Sequence, residues 1–154
     1  MFYISENKVR EIIQGVIDLY LIPKFMELGL NASGDWVKNL EARASGTTGE
    51  IWGLSYTEQL VNGRGPGTPP PVSALVRWAG FKLGYTGQQA ISVAFAVRNK
   101  IAAEGTEIYK NGGTDLLEIL NSPEVLNYIN KQAGDEIVEQ ARLAILRSAN
   151  KIFN

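Results

Sequence analysis

Apolar residues first recur at helical spacing. Val9, Ile12, Ile13, Val16, Leu19 and Tyr20 fall on one face of an amphipathic helix. Ser5 stands where an N-cap belongs, and Glu6 puts negative charge in the first turn, where it suits the helix dipole. Pro23 has no amide hydrogen to donate and is expected to kink or interrupt this helix. Phe25, Met26 and Leu28 then carry one more apolar turn, which Gly29 closes. Ser33 is placed to cap a short helix over residues 35–38.

Beyond that point the period changes to two. Leu40, Ala42 and Ala44 face one way, and Glu41, Arg43 and Ser45 the other. Gly46, Thr47, Thr48 and Gly49 read as a turn and residues 50–54 as a returning strand, which makes a β-hairpin over 40–54. An isolated hairpin is marginal in water, so its apolar face requires either a helix of the same chain or strands from a neighbour. The remainder is helical. A helix is predicted over 72–83, with Leu75, Val76, Trp78, Ala79 and Leu83 on a broad apolar face and Gly84 as its stop. Thr86 and Gln89 have capping-box spacing and open a helix to Glu104, with Ile91, Ala94, Phe95, Arg98 and Ile101 in its stripe and Gly105 at its end. Thr114 is placed to cap a short helix over 115–120, and Ser122 with Pro123 starts a helix expected to break at Gly134. A last helix over 135–153 carries Ile137, Val138, Ala141, Ala144, Ile145, Ala149 and Ile152. The expected fold class is α+β: five to six helices, a small antiparallel hairpin and an extended Gly/Pro-rich loop, in a single domain over 1–154.

Composition narrows the chemistry. The chain has 154 residues, with 45% hydrophobic and 20% charged, as in a globular domain. Its formal charge of -1 lacks the basic excess of a protein that wraps nucleic acid. It has no cysteine and no histidine, which removes disulfides, thiol nucleophiles, histidine-based triads and zinc-hydrolase ligand sets. No signal-peptide pattern or membrane span is read in the sequence, so synthesis in a cytoplasm without classical export is expected.

The most unusual segment is the loop 62–71: Asn62, Gly63, Arg64, Gly65, Pro66, Gly67, Thr68, Pro69, Pro70 and Pro71. Glycine permits unusual dihedrals and proline restricts them, so the segment is expected to be extended, exposed and partly stiff. Arg64 is its only charge. One reading is a plain surface crossover. Another is phosphate binding, which lacks a Walker lysine and loses amide donors to the prolines. A third is a proline-rich ligand, which is short and lacks flanking motif residues. The favoured one is an arm that contacts neighbouring copies, with the Arg64 guanidinium as a forked anchor for carboxylates or main-chain carbonyls. Asp35, Glu41, Glu50 and Glu58 lie near the hairpin, and two of them are candidates for carboxylate catalysis; the plainer reading is solvated strand and cap positions. Trp36, Trp52 and Trp78 are expected in the core. Trp52 lies on the face opposite Ile51 and Gly53, so one of these faces is left to meet another subunit.

The order of these elements resembles the tail-completion and neck proteins of tailed bacteriophages. Ala32, Ser33, Gly34, Asp35 and Trp36 stand at the small-residue start of a short helix, followed by the hairpin. Tyr56, Thr57, Glu58, Gln59, Leu60, Val61, Asn62 and Gly63 stand at a Tyr-x-x-x-(Val/Leu)-Glu-x-Gly type segment, with Asn62 where a glutamate is usual. The segment 60–66 is also similar to one in phages and prophages of Bacteroidetes, including the crAss-like group. The resemblance covers mainly residues 6–80, and the helical C-terminal part is longer than in the family. It implies a homo-oligomeric ring in the virion, with hairpins of adjacent copies forming a shared sheet around a channel for DNA. It also implies portal, neck or tail proteins as partners, no membrane, no sequence-specific DNA contact, no catalysis and no cofactor or metal. Intersubunit contacts would fall on Trp52, Asn62, Gly63, Arg64, Gly65, Pro66, Gly67, Pro69, Pro70 and Pro71. Alternatives are a small carboxylate-dependent hydrolase and a regulatory protein that binds a host target.

Overall fold

The computed structural model describes the backbone of residues 3–153 and the side chains of residues 3–149. It is an α+β fold, predominantly helical, with one two-stranded antiparallel sheet. Helix α1 (Glu6–Val16) starts at Ser5, whose hydroxyl accepts from the Lys8 amide, as a Ser N-cap should. A π turn (Ile17–Leu21) joins it to α2 (Ile22–Glu27). Here the interruption expected at Pro23 takes the form of a widened turn just before the proline, with the Ile22 amide reaching back to the Ile17 carbonyl. Short α3 (Asp35–Lys38) follows, the Ser33 hydroxyl accepting from the Asp35 amide.

Strands β1 (Glu41–Ser45) and β2 (Thr48–Trp52) pair from Glu41↔Trp52 to Ser45↔Thr48. The turn is therefore Gly46–Thr47 alone, tighter than the four residues expected, and Thr48 and Gly49 belong to the strand. Gly46 has φ 59° and Thr47 no positive φ, so glycine sits where a two-residue turn demands it first. Helices α4 (Thr57–Asn62), α5 (Val72–Leu83), α6 (Gly87–Glu104) and α7 (Glu107–Lys110) come next. A 3₁₀ turn (Glu118–Asn121) then leads into α8 (Pro123–Phe153).

Some local expectations are corrected. Thr86 precedes α6 but makes no side-chain cap bond. Thr114 caps no helix: its amide and hydroxyl bond the Val61 and Leu60 carbonyls at the end of α4. The predicted break at Gly134 does not occur, and α8 runs 31 residues without interruption. A lone glycine costs a helix interior only about 1 kcal/mol, too little to end it, and the Lys131–Asp135 ion pair (2.6 Å) spans the position.

The chain forms two compact units, with changes of unit after Ile22, Leu40, Trp52 and Leu117. The first holds α1, the π turn, the hairpin, the 3₁₀ turn and α8. Its α1 covers the Ala42/Ala44 face of the hairpin, as alternation predicts, and the helix that shields this face belongs to the same chain. Gly49 lies so close to Val9 and Ile13 that a Cβ there would collide with them. Tyr128 of α8 lies over Gly15 and meets the Tyr20 ring edge-on at 5.6 Å. The second unit holds α3 to α7 and nearly all of α2. Its main packing is α5 on α6, where Leu75, Ala94 and Ile101 form a cluster flanked by Val72, Val76 and Val97. Small Ala79, Ala90 and Ala94 are buried, which lets the two helices approach closely. Phe25 stacks on Trp36, centroids 4.5 Å apart, and both are buried. Among the described residues no helix is long and apolar enough to cross a membrane.

Candidate functional site: the Gly/Pro loop, its cleft and the hairpin face

The loop 62–71 is bonded along much of its length to the second unit. Asn62 ends α4, and the Gly63 amide closes it on the Gln59 carbonyl. Arg64 and Thr106 then exchange bonds. The Arg64 amide donates to the Thr106 hydroxyl (3.0 Å), and the Thr106 amide donates to the Arg64 carbonyl (2.9 Å). Two residues past Gly65, the Gly67 amide donates to the Ala102 carbonyl (2.9 Å), which occupies an acceptor at the C-terminal end of α6. Glycine is required for this docking. Gly63 has φ 75° and a Cβ on it would strike the Tyr109 backbone, while Gly65 runs against the Tyr109 ring. Gly105 leaves room for the Arg64 carbonyl in the same way.

The loop is thus less open than its composition predicts. Gly63, Arg64, Gly65, Pro69 and Pro70 are half-buried, and Asn62, Pro66, Gly67, Thr68 and Pro71 are exposed. Arg64 does bind a main-chain carbonyl, as its fork allows, but that of Thr68 in its own loop (3.2 Å). Pro71 presents its carbonyl to the Ala74 and Leu75 amides and so opens α5.

On one side the loop borders a cleft of about 460 Å³. Its aromatic walls include Trp36, Tyr56, Trp78 and Phe81, and Arg64, Pro70 and Pro71 line it too. Asp35 and Arg77 meet in it at 2.7 Å. A hydrogen bond with Ser33 and the Arg77 guanidinium hold the Asp35 carboxyl below its ordinary range. Burial, together with the Asp35 charge, pushes the Tyr56 phenol up. The Oδ1 atom of Asn31, also lining the cleft, is buried without a hydrogen-bond partner among the described residues. Among the described residues no second carboxylate lines the cleft beside Asp35. The other candidates are engaged or exposed elsewhere: Glu41 pairs with Arg43, Glu50 accepts from Trp52, and Glu58 is exposed in the first turn of α4. A second cavity of about 490 Å³, lined mainly by apolar residues such as Leu75, Trp78, Val97 and Ile101, lies under Pro70.

Trp52 belongs to the first unit and is not brought into the loop's cleft. It is 50% exposed, where a core position was expected, whereas Trp36 is buried and Trp78 half-buried. Strand alternation explains this, since Ala42 and Ile51 take the inner face and leave position 52 outside. There the Arg43 guanidinium lies 4.2 Å over the indole, and the indole N–H donates to Glu50 (2.7 Å). The residues that fix the loop, Thr106, Tyr109 and Ala102, lie some forty positions away in sequence, and the pattern did not single them out. The one available signal was Thr106 followed by Glu107, which marks the start of α7: the Thr106 hydroxyl accepts from the Tyr109 amide. No family model, curated protein or solved structure matches the chain.

Proposed function

We propose that the chain is a non-enzymatic structural protein of the head-to-tail connection of a tailed bacteriophage, in which copies close into a ring. The observation that carries this reading is the hairpin. Its β1–β2 sheet has two strands, so each strand keeps an outer edge with no further strand paired to it among the described residues. Open edges of this kind are templates for pairing with another chain. With α1 on the inner face, the outer face and both edges are left for neighbours, as a sheet shared between copies requires. Trp52 is the apolar anchor on that face, and Arg43 and Glu50 hold its ring in place. The exposed loop residues Pro66, Gly67 and Thr68 form a second contact, kept rigid by the bonds of Arg64 and Gly67, so little ordering entropy is lost on assembly. Contacts that are heterologous and close produce a ring rather than a filament.

The test is complementation of particles with Trp52→Glu. Position 52 is exposed but stands opposite Glu41, so the variant is expected to keep the wild-type helical spectrum, to melt slightly lower because of the facing carboxylates, and to be lost from purified particles. Normal incorporation would overturn the role given to the hairpin. A particle reconstruction without a closed ring of this chain at the neck would overturn the function itself.

A further inference from the structure

The C-terminal half of α8 shows an apolar stripe that no described residue of the chain covers. Val138 and Ile145 are 68% and 69% exposed, Ile137 39%, and Ala144 is exposed beside them. The same helix meets the first unit by other residues: Val125 is buried, Tyr128 packs on Tyr20, and Gln140 bonds both backbone groups of Tyr3. The stripe therefore lies off the packed face. Its spacing is that of a heptad, with Val138 and Ile145 at one core position and Gly134, Ala141 and Ser148 at the other. The β-branched residues are knobs, and the small ones leave room for a second helix to approach closely.

Charge identifies the occupant and its direction. On the e edge of this stripe, Asp135 precedes Arg142 by one heptad. Both are exposed, and among the described residues they bond only to helix neighbours, Lys131 and Glu139 respectively. When two copies of the helix run antiparallel, Val138 of one packs on Ala141 of the other and Ile145 on Gly134. That register sets Asp135 of each copy beside Arg142 of its partner, twice about the two-fold axis. A parallel pair would place Arg142 against Ile137 and gain no such match. We infer that two copies of this chain associate through α8 as an antiparallel pair centred between Val138 and Ala141. The contact is isologous, distinct from a head-to-tail ring contact, and does not rest on the neck reading.

The chain has no cysteine, so introduced ones report the geometry directly. A mixture of Gly134→Cys and Ile145→Cys full-length proteins should form the mixed disulfide on mild oxidation. Ile145→Cys alone should not, because the two thiols would lie about 16 Å apart along the axis at about 1.5 Å per residue, beyond disulfide reach. In sedimentation runs the wild type should show a dimer, and Val138→Glu with Ile145→Glu should raise its dissociation constant more than about thirtyfold. Asp135→Arg and Arg142→Asp should each weaken it, and together restore it. A self-linked Ile145→Cys would mean a parallel pair. A wild-type monomer at every concentration would mean that another partner covers the stripe. Either result overturns the proposal.

Discussion

At Gly63 a single side chain decides whether the loop can dock. The residue combines φ 75° with a Cβ position blocked by the Tyr109 backbone, so an alanine there must displace either the loop or α7. Four residues on, Gly67 also has a positive φ (96°), but nothing lies within 4 Å of its missing Cβ. The two positions separate dihedral strain from collision. Gly67→Ala is expected to cost about 1 kcal/mol, the strain of a left-handed alanine. Gly63→Ala adds the clash and the weakening of the Arg64–Thr106 exchange, for a total of about 3 kcal/mol or more. Urea unfolding of both variants measures the difference, and equal midpoints would show that the loop yields without loss.

At the scale of the element, α8 is the case that composition misreads. Gly134 has open space where its Cβ would be and no positive φ, so it is an ordinary helix-interior glycine. At concentrations too low for copies to associate, Gly134→Ala should therefore stabilise the protein by about 0.5–1 kcal/mol; a variant destabilised there would show that the helix ends at Gly134, since alanine resists a left-handed C-cap. The other elements show which signals are local. Ser5, Ser33 and Ser122 were readable as helix starts because a serine hydroxyl meets an amide two or three residues ahead, at 3.2 to 3.3 Å in all three cases. The hairpin was readable because alternation is local too. Its turn was misplaced by a pair of residues because glycine is tolerated both in the turn and, at Gly49, beneath α1. The loop's composition marked it as unusual. Its docking was not legible, since Thr106 is 42 positions from Arg64 and no short-range pattern encodes that meeting.

Across the whole molecule, the charged groups set how stability varies with pH. Asp35, Glu41, Glu107, Asp115 and Glu139 are all held below their ordinary values of 3.8 or 4.5, Asp35 by Ser33 and Arg77 and the others first by a cationic partner. A carboxyl depressed in the folded state contributes stability that is fully present above its unfolded value. That stability is lost as pH falls through the lower, folded value. Arg43, Lys110 and Arg142 are raised by their acidic partners, so their contribution is fully present throughout the neutral range and is lost only in strong alkali. No histidine titrates in between. The melting midpoint should thus be level from about pH 6 to 8 and fall below about pH 4.5. The carboxylates of these pairs are reached by solvent, although Lys24 is mostly buried against Asp115, so most of the acid loss should shrink at high salt. Asp35→Asn tests the one pair inside the cleft: it should lower the midpoint at neutral pH and flatten the acid slope. A midpoint that moved between pH 6 and 8 would place the controlling groups elsewhere. An acid slope unchanged by Asp35→Asn would remove the Asp35–Arg77 pair from the forces that hold the cleft together.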